Sequence, residues 1–202
     1  MTLEKINRLN ELLIGVLKLA YLNFLWLVTV VCGLGVTFGP ACAAMLHYYD
    51  RWLRKKEELP VFRSYWRFLK RDFKRSLIIG LIYELMFAVI LGNLFLLKNW
   101  YFLAGNVLIL VILLISFTHV FSLLGVLPAE RVLSVFKVTT VLGFGYLHYT
   151  ILAWTGIIGS YLLLAKFAPA ALFLFGIALT GFFLGTASKL VLGELEKVNG
   201  TI

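Results

Sequence analysis

Long apolar runs separated by short polar connections dominate the chain. The first run covers 12–38 and is interrupted only by Lys18, whose stem is long enough to carry its charge to an interface. Further runs cover 76–97, 102–127, 138–164 and 170–192. A bilayer core about 30 Å thick needs about 20 apolar helical residues, and each of these five runs meets that length. Gly33, Gly35, Gly39 and Pro40 end the first run. The segment 41–56 starts apolar and turns basic. As a helix it would reach about 25 Å, short for a crossing but feasible if Arg51 and Arg54 reach the headgroups.

Two topologies follow. If 41–56 crosses, there are six spans with both ends of the chain inside. Lys98 and Lys166 are then the outside cations, and the other 17 of the 19 Lys and Arg are inside. If it does not cross, there are five spans, with 14 cations inside and 5 outside. The positive-inside rule prefers six.

The connection that sets this orientation is RWLRKKEELPVFRSYWRFLKRDFKR, residues 51–75, which holds 10 of the 19 cations. Phe62, Tyr65, Trp66, Leu69 and Phe73 recur at helical spacing, and Arg63, Arg67, Lys70 and Lys74 recur on another face with Arg71 beside them. Proline suits a first helical turn, so Pro60 predicts the start. The pattern predicts a basic amphipathic helix within 51–76, cytoplasmic and lying in the membrane interface. Arg63, Trp66, Arg67, Lys70, Arg71, Phe73 and Lys74 are its candidate contacts with anionic lipid or a partner. A nucleic-acid partner is excluded, because the charge abuts apolar spans and no nucleic-acid motif accompanies it.

Composition agrees with the spans. The chain of 202 residues is 61% hydrophobic and 14% charged, against about 25% charged in soluble domains, and its mean hydropathy is +0.94. The expected architecture is therefore all-α: one polytopic transmembrane bundle over residues 1–202. The N-terminus lacks a signal-peptide pattern, so an uncleaved chain is expected.

Candidate chemistry is sparse. Glu84 is the one carboxylate inside a run, and an intramembrane acid is either paired with a cation or functional. Lys74, Arg75 and Arg51 are the expected partners. Asn93 and His119 are the other intramembrane polar candidates, His119 standing beside Ser116, Thr118 and Ser122. Asn23 is expected to join helices, as is the Gly181-x-x-x-Gly185 face. Cys32 and Cys42 have no metal or disulfide spacing, and no nucleotide loop or hydrolase triad occurs. No catalytic residue, metal or cofactor is expected.

Asn23-x-x-Trp26, then Gly39-Pro40-Ala41 with Ala43 and Ala44, then the basic segment 51–75, together resemble the YesL family of bacterial membrane proteins, a family of unknown function. The resemblance is strongest over 20–78. Its members are often encoded beside carbohydrate ABC importers. That implies a non-enzymatic accessory or regulatory protein of the bacterial inner membrane, with ABC permease subunits as partners. The chain lacks the coupling motif of a permease subunit. The rival reading is a self-sufficient transporter or channel using Glu84 and His119, which requires Glu84, Asn93 and His119 to share one cavity.

Overall fold

A computed structural model describes residues 3–96, 99–124 and 132–199. Lys98 and the inner connection at 128–131 lie outside the described residues. Among the described residues there are eight α-helices: α1 (Leu3–Cys32), α2 (Phe38–Tyr49), α3 (Val61–Arg71), α4 (Phe73–Leu96), α5 (Trp100–Leu123), α6 (Val132–Gly145), α7 (Leu147–Phe167) and α8 (Pro169–Asn199). A π-helical turn, Asp50–Arg54, continues α2. Among the described residues, five helices are long and apolar enough to cross a membrane: Leu9–Cys32, Phe73–Leu96, Trp100–Leu123, Leu147–Phe167 and Pro169–Lys197. The protein is an all-helical membrane bundle.

The segment read as a short second span, 41–56, is not among those five. It is α2 with its π turn, about 25 Å of helix from Phe38 to Arg54. Every residue from Gly39 to Tyr49 is buried, and α1, α3, α4, α5 and α8 all pack on α2. It is the axis of the bundle. Small residues make this possible, since Gly39, Ala41, Cys42, Ala43 and Ala44 let neighbouring backbones come close.

The break before α2 lies earlier than the sequence pattern suggests. Gly33 and Gly35 do fall in the turn, at 33–37, but Gly39 and Pro40 sit inside the first turn of α2. Proline is tolerated there because the amides of a first turn have no helical partner. Leu34 (φ 50°) and Gly35 (φ 86°) take left-handed conformations, and the Gly35 amide donates to the Val30 carbonyl at 2.9 Å. That geometry suits glycine at 35. Thr37 Oγ1 closes the turn by donating to the Thr29 carbonyl at 2.6 Å.

Contacts along the helices fix their directions. Trp26 Nε1 donates to Cys42 Sγ at 3.4 Å, and Lys18 Nζ lies 5.2 Å from the centre of the Trp52 ring, so α2 runs back along α1. Tyr49 Oη donates to the Ala178 carbonyl at 2.8 Å and Arg54 pairs with Glu196, so α8 runs alongside α2. The early part of α1, the π turn and the late part of α8 therefore share one end of the bundle. Asn93–Asn106 and Tyr83–Ser116 contacts make α4 and α5 antiparallel. Tyr161–Thr180 joins α7 to α8 at 3.0 Å.

The run 138–164 does not form a single span. It is broken at Tyr146 (φ −115°, ψ 38°), which separates α6 from α7. Accordingly α6 covers both the brief inner turn expected at 131–137 and the start of the expected span.

Candidate functional site

Two residues of the Asn23-x-x-Trp26 pattern anchor α1 to different helices. Asn23 is 2% exposed. Its Nδ2 donates to the Phe173 carbonyl at 3.0 Å, and its Oδ1 accepts from the Ile177 and Ala178 amides, each at 3.1 Å. One side chain thus spans a donor and an acceptor of the same turn of α8. Trp26 packs edge-on against Phe38, at 5.6 Å between ring centres, besides its bond to Cys42. The Gly181-x-x-x-Gly185 face receives α2: a Cβ at Gly181 would lie 2.5 Å from Met45 Cε, and one at Gly185 would lie 2.9 Å from Tyr49 Cβ. Expected helix-joining roles for Asn23 and the glycine pair therefore match what these residues touch.

The basic segment forms α3, starting directly after Pro60. Its buried face is Ser64, Tyr65, Phe68 and Leu69. Tyr65 Oη donates to Thr29 Oγ1 at 3.1 Å, and Phe68 stacks obliquely on His47 with ring centres 6.0 Å apart. Arg63, Arg67, Lys70 and Arg71 are exposed. The apolar stripe is rotated from the one the spacing suggests. Phe68 belongs to it and Phe62, at 55% exposure, does not, while Trp66 is half-buried. The cause is that α3 packs on α2 and the end of α1, and these supply the wall. Phe73 and Lys74 lie on α4 rather than α3, because the chain turns at Asp72 (φ −114°, ψ 21°).

That turn carries a small charge cluster. His47 Nε2 stands 3.4 Å from Asp72 Oδ2, and Arg71 Nε donates to the same oxygen at 2.8 Å. His47 first, then Arg71, hold the Asp72 carboxyl at about 2, below its ordinary 3.8. Asp72 thereby ties α2 to the α3–α4 junction.

The three intramembrane candidates do not meet. Asn93 Nδ2 donates to Asn106 Oδ1 at 3.3 Å. His119, fully buried, shares a hydrogen bond with Thr150 Oγ1 at 3.0 Å. Of its neighbours on α5, Ser116 is committed to Tyr83 and Thr139, and Thr118 to Trp154, while the Ser122 hydroxyl is buried with no hydrogen-bond partner among the described residues. Glu84 faces a cavity, about 470 Å³ in volume, between α1, α2, α4 and α5, and neither Asn93 nor His119 lines it. The expected pairing of Glu84 with Lys74, Arg75 or Arg51 is not found: Arg51 pairs with Glu57 at 2.9 Å, and Glu84 Oε1 is buried with no hydrogen-bond partner among the described residues. Helical spacing places Phe87 on the face of Glu84, but sequence reasoning did not identify Asn106, Thr150 or the rings of Phe38 and Phe117, because spacing within one helix carries no information about its partner. No group of His, Cys, Asp and Glu that could hold a metal occurs among the described residues.

The chain has relatives among known proteins. The family model described as "Protein of unknown function, DUF624" matches residues 19–94, which hold Asn23, Trp26, α2, α3 and Glu84. No solved structure matches the chain. Uncharacterized protein YteU of Bacillus subtilis (strain 168) is 30% identical over 175 residues, covering 83% of this chain and 77% of its own length. Uncharacterized protein YesL of the same organism is 31% identical over 200 residues, covering 94% of this chain and 88% of its own. With identity at that level over most of its length, the chain belongs to the YesL-like family of DUF624 proteins.

Proposed function

We propose that this protein is a non-enzymatic accessory or regulatory component of the bacterial inner membrane, contacting a carbohydrate ABC importer. The observation that carries this reading is how the intramembrane polar groups are spent. Asn23, Asn93, Ser116, Thr118 and His119 each bond across to another helix or helices, and none of them lines the cavity of Glu84. A solute path needs polar groups aligned along a cavity; helix-to-helix bonds serve a fixed scaffold. The exposed row Arg63, Arg67 and Lys70 beside Phe62 and Trp66 is the contact surface in this reading, directed at anionic lipid and a partner. The importer itself enters through the family resemblance. Purification from native membranes in mild detergent, followed by mass spectrometry, tests it: ABC permease subunits should co-purify, and the triple variant R63Q/R67Q/K70Q should lose them. Solute flux by the protein alone in reconstituted vesicles would overturn the reading.

Orientation is part of the same proposal. The end of the bundle that holds Lys18, Arg54 and Lys197 is taken as cytoplasmic: with α2 and its π turn, which run back along α1, taken as a sixth, short pass, 17 of the 19 cations lie inside. In a background without Cys32 and Cys42, single cysteines at Glu57, Asn99 and Lys166 report on it. An impermeant thiol reagent applied to intact cells should label positions 99 and 166 and leave position 57 unmodified. Labelling at 57 with protection at 99 and 166 would invert the orientation.

A further inference from the structure

We propose that the cavity beside Glu84 binds an organic monocation with an apolar, preferably aromatic, body. The cavity is lined by Val30, Phe38, Tyr83, Phe87 and Phe117 around that carboxylate, and its volume of about 470 Å³ falls within the usual range for small-molecule sites. Four of the rings form one cluster. Tyr83 and Phe87 each lie 5.7 Å from Phe117, and Phe38 stacks on Phe117 at 6.3 Å. Ala88 and Leu91, also lining the cavity, are exposed, so it opens on the outer face of the bundle, where a membrane-dissolved molecule would arrive.

Charge decides the ligand class. A carboxylate removed from water needs a counter-charge or a proton, and no ion pair reaches Glu84 among the described residues. Lys74 and Arg75 lie at the start of the same helix, about 13–15 Å along its axis. An ammonium or phosphonium group would supply the missing charge, and the surrounding ring faces attract cations as well. Anions meet a like charge. A sugar is a poor match too, because it needs many hydrogen bonds. Among the described residues, the one other polar side chain lining the cavity is Tyr83, whose Oη is already bonded to Ser116 Oγ at 2.6 Å. The ligand class is thus distinct from carbohydrate, and the inference does not depend on the importer contact proposed above.

The test uses the full chain in detergent, with radiolabelled tetraphenylphosphonium as the cation and tetraphenylborate as an anion of the same shape. The wild-type protein should bind the phosphonium saturably and the borate not at all. Glu84→Gln should weaken phosphonium binding about tenfold or more, since it removes a desolvated charge partner, and Glu84→Asp should keep most of it. A second measurement needs no variant. Dicyclohexylcarbodiimide, which reacts with carboxyl groups in apolar surroundings, should modify Glu84, and tetraphenylphosphonium should protect it. Absence of saturable phosphonium binding, equal binding by Glu84→Gln, equal binding of the borate, or failure of the phosphonium to protect Glu84 would each overturn the proposal.

Discussion

Alanine at Gly39 will destabilise this protein severely, and alanine at Gly80 will do the same. The two glycines form the crossing of α2 and α4. A Cβ at Gly39 would lie 2.3 Å from the Ser76 carbonyl oxygen and 2.7 Å from Gly80 Cα, and a Cβ at Gly80 would lie 2.6 Å from Gly39 Cα. All of these are backbone atoms, so no side chain can swing aside. The helices must separate, and α2 is packed on every side. Overpacking costs about 1–3 kcal/mol where the surroundings can adjust. Here the upper end applies, about 3 kcal/mol. For a chain of this size that corresponds to a fall in Tm of about 6–12 °C. Gly92→Ala is the control, because a Cβ there meets nothing within 4 Å. In a thermal unfolding assay in detergent, Gly92→Ala should leave Tm unchanged or slightly raised, as expected for alanine in a helix. Equal behaviour of Gly39→Ala and Gly92→Ala would mean that α2 and α4 do not cross at these residues.

The same crossing shows what the sequence could and could not reveal. The five long helices are visible as runs of apolar residues, because membrane thickness imposes a length that composition alone displays. Gly39-Pro40-Ala41 is visible as a special segment, but its role is not. Glycine and proline signal a break, whereas here they sit in the first turn of a helix whose path requires close backbone contact with Gly80, 41 residues further on. The break at Tyr146 carries only faint marks within an apolar run, Gly143 and Gly145 just before it and His148 just after; a Cβ at Gly143 would meet Ile115 of α5 at 2.5 Å. For α3 the helical period was legible and its phase was not. Which residues of an amphipathic helix are buried depends on the wall that covers them, and Thr29 and His47 of that wall are distant in sequence. Glu84 was legible as a site of interest. The aromatic cluster around it was not, since its rings come from three helices.

The second large effect concerns Asn23. Its Nδ2 donates to the Phe173 carbonyl, and its Oδ1 accepts from two amides of α8, Ile177 and Ala178. Within the bilayer no water can replace these bonds. Asn23→Leu keeps approximate size and removes all three. Interhelical polar contacts in membranes average about 0.6 kcal/mol and reach about 1.7. Three at one buried side chain should therefore sum to about 2 kcal/mol, roughly a 4–8 °C loss in Tm. Asn23→Asp should be worse than that average suggests. It retains an acceptor for the two amides but turns a carboxylate oxygen toward the Phe173 carbonyl, where the amide nitrogen donated. The location of the damage separates this from general loss of packing. In hydrogen exchange, Asn23→Leu should raise exchange chiefly in peptides covering 169–184 of α8, whereas Gly39→Ala should raise it in α2 and α4. Asn93→Leu is the matched control, because Asn93 has one bond, at 3.3 Å, to the partly buried Asn106. It should cost well under 1 kcal/mol and leave α8 unchanged. If Asn23→Leu and Asn93→Leu prove equally mild, Asn23 does not clamp α8, and the leading residue of the Asn-x-x-Trp pattern must be explained by some contact other than this one.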